Sequence, residues 1–512
     1  MALALAASVA GVACSGDGDE GEATPAPRVT PFVGAPPPPT PTPRPVFTPR
    51  NPTPLAPERT AEVMALLLEL EPDPAALAQA LEEIRAARDV RFIAPLIELV
   101  RARNSRIGYL DTSHVALLEE LTGQRFARDW DRWAAWYGRT TLEAPPGFVA
   151  WKGTLLGRID PRFAEFLRED VPVVVRPELV VWGTVPVDGI TPLDHAPAVP
   201  AAAATYLDPN EPVFGVVVNG EARAYPMRIL DAHEMANDTL GGVPIALAYC
   251  TLCASGIVYD RRAPDGTVLS FSTSGLLYES NKLMYDRQTR SLWNQFTGRP
   301  VVGPLVEAAA GTSGSWLNVV PSVVATWASW RGAHPETTVL ALETGIGSGY
   351  TLGYPYVLYF TNGDLQYPVS RRSTEMIAKV RVFGVVVGDD VTVYGPRTLS
   401  RTPVINDRVG DVDVVVIANG PSIEVSTREP IAGELTYLAG REVRAFERPA
   451  GLNFTSTPDG GTVLDHRGRA WTVTEEALIG PDGERAPRLA GHTAYWFAWY
   501  AFHPDVRVYA AP

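Results

Sequence analysis

The chain has 512 residues, about three times the roughly 150 residues of an ordinary domain. Hydrophobic residues make up 46% of it and charged residues 20%, a composition that excludes a disordered or fibrous protein. A formal charge of −14 argues against a broad cationic surface, so we expect no nucleic-acid partner, and three cysteines are too few for a disulfide framework.

Residues 1–14 predict a lipoprotein signal peptide. The apolar run Met1–Ala13 is too short to span a bilayer as a permanent helix, and it ends at Cys14, which small residues precede and polar residues follow. This pattern resembles a bacterial lipobox, although Gly11 stands where Leu is usual. We therefore expect lipidation of Cys14, with the protein extracytoplasmic and anchored to the cell membrane by lipid.

Residues 15–58 are first acidic and then rich in Pro and Thr, including APPPPTPTPRP. Such a segment buries too little apolar surface to offset its ordering entropy, and its prolines favour extended polyproline II. We predict a disordered tether between the lipid anchor and the folded part.

Residues 59–145 show helical periodicity. Apolar residues recur at three- and four-residue spacing around Met64 and Leu96, and a tryptophan-rich segment begins at Trp130. The pattern predicts a module of short antiparallel helices, similar to HEAT repeats.

Residues 146–345 and 346–512 have the pattern of two copies of one β-rich unit. VFGVVVNGEARAYPMRIL, from Val213, aligns without gaps with VFGVVVGDDVTVYGPRTL, from Val382, 169 residues later. The two-residue turns Asn219-Gly220 and Gly388-Asp389 predict a hairpin at the start of each copy. The same offset returns at a Trp-x-x-Trp-x-x-x-His-Pro segment near the end of each copy, which predicts a short tryptophan-bearing helix. We predict an α+β fold in which the helical module precedes two tandem repeats. A pseudo-twofold axis would relate the repeats and leave a ligand cleft between them.

The two copies differ most where the first carries chemistry-bearing residues. It alone has Asp-Ala-His-Glu-Met at 231–235, with His233, and Cys-Thr-Leu-Cys at 250–253 in a turn between two predicted strands. Three interpretations of Cys250 and Cys253 remain open. They could form an inert disulfide, bind copper or zinc together with His233, or act as a redox-active dithiol.

The segment around and after the cysteines supplies candidate ligand-binding side chains, namely Tyr249, Ser274, Tyr278, Asp286 and Arg287. No Gly-x-Ser-x-Gly elbow accompanies the serines, and no dinucleotide or P-loop motif occurs. The sequence therefore gives little support to a hydrolase and none to nucleotide chemistry.

The first copy also resembles a known family. NGEARAYPMRILDAHEMANDTLGGVPIALAYCTLCASGIVYDR, SGLLYESNKLMYDRQTRSLWNQFTGRPVVGPL and TWASWRGAHPETTVL are similar to the bacterial and archaeal family called domain of unknown function 3179, over about residues 150–510. That family usually has Pro after the first cysteine of the pair, where this chain has Thr251. The resemblance implies no established reaction.

The sequence thus favours a membrane-tethered extracytoplasmic protein with a metal-binding or thiol-redox site at His233, Cys250 and Cys253. The competing hypothesis is a non-catalytic binding or structural module with an inert disulfide, whose small ligands bind between the repeats.

Overall fold

The computed structural model describes residues 52–108, 112–312, 316–346, 350–418, 420, 422–429, 433–458 and 460–510. The predicted signal peptide with Cys14, and the predicted tether up to residue 51, lie outside the described residues. Residues 52–56 have no regular structure, and the first helix begins at Pro57.

Helices dominate the N-terminal part. They are α1 (Pro57–Leu66), α2 (Pro74–Ala87), α3 (Ile93–Asn104), α4 (Ser113–Thr122), α5 (Trp130–Gly138), α6 (Phe148–Leu156) and α7 (Arg162–Phe166). The start of α2 is capped: the Asp73 side chain accepts a hydrogen bond from Ala76 N at 2.8 Å, and Pro74 takes the first helical position. The helices continue past residue 145, so the helical part is longer than the sequence pattern predicts.

Strands dominate the remainder of the chain. From residue 180 to residue 340 the elements are β1 (Val180–Trp182), β2 (Leu193–Asp194), β3 (Ala198–Pro200), β4 (Pro212–Val218), β5 (Glu221–Pro226), α8 (Met227–His233), β6 (Met235–Leu240), β7 (Val243–Cys250), β8 (Ser255–Asp260), β9 (Phe271–Tyr278), β10 (Asn281–Asp286), β11 (Leu292–Asn294), β12 (Arg299–Val302), α9 (Leu305–Ala308), β13 (Val319–Val320), β14 (Ser322–Thr326), α10 (Trp327–Ala333) and β15 (Thr338–Leu340).

From residue 357 onward the elements are α11 (Val357–Thr361), β16 (Arg381–Val387), β17 (Asp390–Tyr394), α12 (Pro396–Arg401), β18 (Val404–Val409), β19 (Val412–Ile417), β20 (Ser422–Glu429), β21 (Gly433–Arg441), β22 (Arg444–Glu447), β23 (Phe454–Ser456), β24 (Thr462–Asp465), β25 (Ala470–Val473), β26 (Ala477–Ile479), β27 (Arg485–Leu489), β28 (Gly491–Tyr495), α13 (Trp496–Phe502) and β29 (Arg507–Val508). Short 3-10 helices occur at Val90–Phe92, Pro177–Leu179 and Ala201–Ala203. The chain is therefore α+β, with N-terminal helices followed by β-rich sheets.

Three five-stranded sheets contain the strands up to β15. Their orders are β1-β9-β10-β11-β12, β13-β8-β7-β6-β2 and β14-β4-β5-β15-β3. The later strands form sheets with the orders β28-β16-β17-β29, β18-β19-β22-β27-β26-β25-β24-β23 and β20-β21.

The predicted hairpin between β4 and β5 is present, with a two-residue turn. Asn219 has φ 50° and Gly220 has φ 79°, the positive values that a type I′ turn requires at both positions. The predicted tryptophan-bearing helices, α10 and α13, are also present.

Glycines in β4 and β16 allow the ring of a buried tryptophan to lie directly on the strand. A Cβ added at Gly215 would lie 2.2 Å from the Trp330 ring, and one at Gly384 would lie 2.3 Å from the Trp499 ring. Among the helices of the described residues, none has both the length and the apolarity that crossing a bilayer requires.

Candidate functional site

The Cys-x-x-Cys segment forms the tight turn between β7 and β8, as predicted. Cys253 N donates a hydrogen bond to Cys250 O at 3.2 Å, and Ala254 adopts a left-handed conformation with φ 51°. Cys250 is 1% exposed and Cys253 is 0% exposed, and both are free thiols. The Cys253 thiol has two acceptors within reach, Cys250 Sγ and Ser280 O, and donates its single proton to one of them at a time.

The two thiols differ in acidity. Burial raises the pKa of each, but hydrogen bonds from the Cys253 thiol and from the backbone N–H groups of Lys282 and Cys253 bring the pKa of Cys250 below its ordinary value. Burial and the negative charge on Cys250 raise the pKa of Cys253 well above its ordinary value. Cys250 is therefore the group that ionises first, and Cys253 keeps its proton.

Cys253 is also held by the start of β10. Its Sγ lies 3.4 Å from Ser280 O, to which it can donate, and Asn281 Nδ2 donates to the same sulfur at 3.4 Å. Asn281 Nδ2 donates as well to Gln295 Oε1 at 2.8 Å. These contacts fix the second thiol beneath the turn.

Glu234 and Lys282 form a buried ion pair next to Cys250. Lys282 Nζ donates to Glu234 O at 2.7 Å and lies 3.5 Å from Glu234 Oε2. Glu234 Oε1 accepts hydrogen bonds from the Thr251 hydroxyl at 2.9 Å and from the Tyr356 hydroxyl at 3.1 Å. Burial lowers the pKa of Lys282, while the negative charges of Glu234 and Cys250 act in the opposite direction.

The backbone of Glu234 explains its orientation. It follows the last residue of α8 and adopts φ 54°, a left-handed conformation that is uncommon for a residue other than glycine. This conformation ends the helix and places the carboxylate at Thr251.

A cavity of about 110 Å³ adjoins these groups. Its polar end includes Cys250, Thr251, Glu234 and Lys282, and its remaining walls are largely apolar. Cys250, which is 1% exposed, is one of the residues that line this cavity.

His233 does not join the cysteines. Its Nδ1 lies 2.7 Å from Thr191 O and its Nε2 lies 2.7 Å from the Tyr350 hydroxyl, so both ring nitrogens have other partners. Burial lowers the pKa of His233. Within the described part of the chain, no group of three or more His, Cys, Asp or Glu side chains is arranged to hold a metal ion.

Of the five predicted ligand-binding residues, Ser274 alone lines the cavity. Tyr249 is buried against Phe214, with ring centroids 5.5 Å apart, and Tyr278 pairs with Val180 and Asn281 in its sheet. The other two have partners elsewhere: Asp286 accepts a hydrogen bond from Trp293 Nε1 at 2.8 Å, and Arg287 pairs with Asp194 at 2.6 Å.

Sequence reasoning missed Glu234, Lys282 and Tyr356. The first lies in the segment that distinguishes the two predicted copies, and the second is one of only three lysines in the chain. Both signals were visible in the sequence. Tyr356 carried no such signal, because it lies 122 residues from the carboxylate to which it donates.

Comparison with known proteins gives one match. A family model described as "Protein of unknown function (DUF3179)" matches residues 187–506, which is more than half of the chain. A search of the curated proteins and a search of the solved structures found no match.

Proposed function

We propose that this chain, which belongs to the DUF3179 family, is a thiol-redox protein in which Cys250 is the attacking thiolate and Cys253 the resolving thiol. One observation carries the proposal: two free, hydrogen-bonded thiols share a tight turn, and the more acidic one faces a cavity. Low thiol pKa values accompany reactive cysteines, whereas cysteines buried in apolar surroundings are inert.

The proposed reaction is a two-electron exchange. The Cys250 thiolate attacks an electrophilic atom of the oxidant and displaces a leaving group, which forms a covalent adduct at its sulfur. The Cys253 thiol then loses its proton and attacks Cys250 Sγ, releasing the second product and forming the Cys250–Cys253 disulfide. The dithiol is oxidised and the oxidant is reduced by the same two electrons.

The turn geometry is compatible with that disulfide. Its Cys253 N to Cys250 O hydrogen bond of 3.2 Å is that of a four-residue β-turn, whose end Cα atoms lie within about 7 Å. Cα atoms joined through a disulfide usually lie about 4.4–6.8 Å apart. The pair can therefore cycle with little movement of the backbone.

Equilibration to a constant composition in a series of redox buffers made from a small dithiol and its disulfide, followed by alkylation and mass spectrometry, tests the proposal. We expect one reversible two-electron transition that is lost in Cys250→Ser and in Cys253→Ser. The variants Cys14→Ser and His233→Ala are matched controls and should keep the transition. The absence of a reversible transition, or stoichiometric metal that is retained by the unsubstituted protein and lost in both cysteine variants, would overturn it.

We further propose that the protein is extracytoplasmic and tethered to the membrane through Cys14. The lipobox-like sequence and the Pro-rich segment after it support this, and an oxidising compartment suits a dithiol that cycles. Partition of the expressed protein into detergent, lost in Cys14→Ala, tests it. Equal partition of both proteins into the aqueous phase would contradict it.

We propose that the two β-rich parts are tandem repeats related by a pseudo-twofold axis. Matching sheet orders support this: β14-β4-β5-β15 corresponds to β28-β16-β17-β29. Matching contacts support it too, because Tyr225 donates to Asp238 and Tyr394 donates to Asp407, each at 2.8 Å. For the N-terminal helices we propose a HEAT-like arrangement, supported by the contacts of the largely buried α3 with α4, α5 and α6.

A second candidate function is the binding of a small, largely apolar ligand. It is favoured by a cavity of about 570 Å³ that residues from both β-rich parts line, including Phe296 and Arg299 from the first and His492 and His503 from the second. This volume falls within the roughly 300–1,000 Å³ of small-molecule sites. Stabilisation of the protein by aromatic compounds, abolished in Phe296→Ala, tests this function independently of the cysteines.

A further inference from the structure

We propose that the oxidant reduced at Cys250 is a small hydroperoxide. The inference rests on the proposed thiol-redox function and names its substrate class. It is carried by the size of the cavity, the chemistry of its walls and the burial of both sulfurs.

The size of the cavity limits what can reach Cys250. Its volume is about 110 Å³. A water molecule needs about 10–15 Å³ of a volume of this kind, so the cavity has room for roughly ten water-sized groups. Sites for drug-sized ligands start near 300 Å³. Hydrogen peroxide and short alkyl hydroperoxides fit this space, whereas oxidised glutathione or the disulfide of another protein does not.

Burial excludes the larger oxidants a second time. With Cys250 1% exposed and Cys253 0% exposed, a bulky disulfide can align with either sulfur only after the protein opens locally. A substrate must therefore enter the cavity completely before it reacts.

The cavity walls suit an alkyl hydroperoxide. Val185, Leu276 and Leu283 supply apolar surface, and Cys250 and Lys282 lie at the polar end. An alkyl group can pack on the first three while the O–O bond points toward the last two. Lys282, whose charge interacts with that of Cys250, is the cation that would stabilise the negative charge developing on the leaving oxygen.

The reaction balances with the hydroperoxide, the two cysteines, Lys282 and one proton from solvent. Cys250 Sγ attacks the terminal oxygen of R–O–OH, which forms the S–O bond and breaks the O–O bond. The leaving alkoxide takes a proton from the Lys282 ammonium and departs as R–OH. The Cys253 thiol then attacks the sulfenic acid on Cys250, and hydroxide leaves with the Cys253 proton as water. The hydroperoxide gains two electrons, the dithiol loses two, and Lys282 recovers its proton from solvent.

Repeated turnover needs a two-electron reductant, for which a small external dithiol suffices. A single turnover needs none, so the first test uses reduced protein alone.

Reduced protein is mixed separately with hydrogen peroxide, tert-butyl hydroperoxide and oxidised glutathione, and formation of the Cys250–Cys253 disulfide is followed by mass spectrometry. We expect both hydroperoxides to react at least about 100-fold faster than free cysteine at the same pH, the lower end of the gain from a positioned proton donor. Oxidised glutathione should react far more slowly. In Cys253→Ser the reaction should stop at a sulfenic acid that dimedone traps, and Cys250→Ser should not react.

Two further variants separate proton delivery from simple access. Lys282→Met should slow oxidation by both hydroperoxides about 100-fold, by loss of that donor. Val185→Phe, which changes a half-buried wall residue, should slow tert-butyl hydroperoxide more than hydrogen peroxide. If Lys282→Met does not fold, Val185→Phe still tests whether substrates enter through this cavity.

The outcomes distinguish the two proposals. If oxidised glutathione oxidises the pair as fast as the hydroperoxides do, or faster, the substrate class is overturned and the thiol-redox function is left intact. Hydroperoxide rates no greater than that of free cysteine would also overturn the substrate class. A pair that no redox buffer oxidises at equilibrium would overturn both.

Discussion

Replacing Asp231 with Asn should change how the stability of the protein depends on pH. Asp231 lies in α8 and is 1% exposed, and its Oδ2 accepts a hydrogen bond from Gly353 N at 2.8 Å. Burial, with a contribution from the charge of Glu234, raises the pKa of Asp231 to about 8. An aspartate in an unfolded chain has a pKa of about 3.9. The folded protein therefore holds a proton that the unfolded chain releases between these two values.

The sign and size of the effect follow from this difference. A carboxyl group whose folded-state pKa is raised contributes stability that is complete below about pH 3.9 and is lost as the pH rises toward its folded-state pKa. Within this window one extra proton corresponds to about 1.36 kcal/mol per pH unit. Between pH 5 and pH 7 the Asp231 contribution should therefore fall by about 3 kcal/mol. Asn mimics the protonated carboxyl group, keeps an acceptor for Gly353 N and does not titrate.

Urea unfolding of both proteins at pH 5, 6 and 7 measures the effect as a difference. Burial lowers the pKa of His492 to about 3 and that of His503 to about 4. The stability that these two residues contribute therefore rises with pH, by the same amount in both proteins. Asp265→Asn is the control. A hydrogen bond from Thr267 N lowers the pKa of that exposed residue, so its effect should appear only in acid. Parallel profiles for the Asp231 variant and the unsubstituted protein between pH 5 and pH 7 would refute the reasoning.

Three other substitutions have defined outcomes. Lys282→Met leaves the carboxylate of a buried pair uncompensated and should lower the free energy of unfolding by about 3–5 kcal/mol in urea titrations, and an unchanged midpoint would contradict the described burial. Gly215→Ala and Gly384→Ala each force a Cβ against a tryptophan ring and should each cost about 1–3 kcal/mol or more, with similar losses expected at these matching positions. Cys253→Ala removes the hydrogen bond to the Cys250 sulfur and should raise the pKa of Cys250, seen as a shift of thiolate ultraviolet absorbance to higher pH. An unshifted titration would show that the Cys253 thiol does not stabilise the Cys250 thiolate.

Local features of the sequence predicted local structure well. The hairpin at Asn219 and Gly220 was predictable because few residues tolerate positive φ at both positions of a turn. The Cys-x-x-Cys turn was predictable because two strand-like runs flank it. The α+β class followed from the change in the sequence from helical periodicity to short strand-like runs near residue 145.

The sequence singled out the segment 231–235, in which the structure places Glu234 rather than His233 beside the Cys-x-x-Cys turn. Residues 231–235 were singled out because the second copy has no equivalent, and His233 was chosen for its ligand chemistry. The left-handed backbone of Glu234 turns the Glu234 side chain toward Thr251. The side chain of His233, the last residue of α8, contacts Thr191 instead. Hydrophobic periodicity does not show at which residue the backbone leaves the helix. The choice between His233 and Glu234 therefore needed the structure.

The contact between Lys282 and Glu234 could not be predicted from the sequence, because it joins residues that are far apart in the chain. Lys282 contacts Glu234, which lies 48 residues earlier in the chain. Lys282 belongs to β10 and Glu234 immediately precedes β6, and these two strands are in different sheets. No spacing rule within the chain connects these positions. The rarity of lysine marked Lys282 as unusual without showing its partner.

Residues from the second β-rich part of the chain, 346–512, hold the Cys-x-x-Cys turn in place. Tyr359 donates to Leu252 O at 2.8 Å, and Tyr495 N donates to Cys253 O at 2.8 Å. Because these two contacts hold consecutive carbonyls of the Cys-x-x-Cys turn, the turn cannot swing outward to meet a partner protein without breaking both. In the proposed reaction the oxidant therefore comes to Cys250 through the cavity, and the dimensions of the cavity, rather than the thiol chemistry alone, decide which oxidants react.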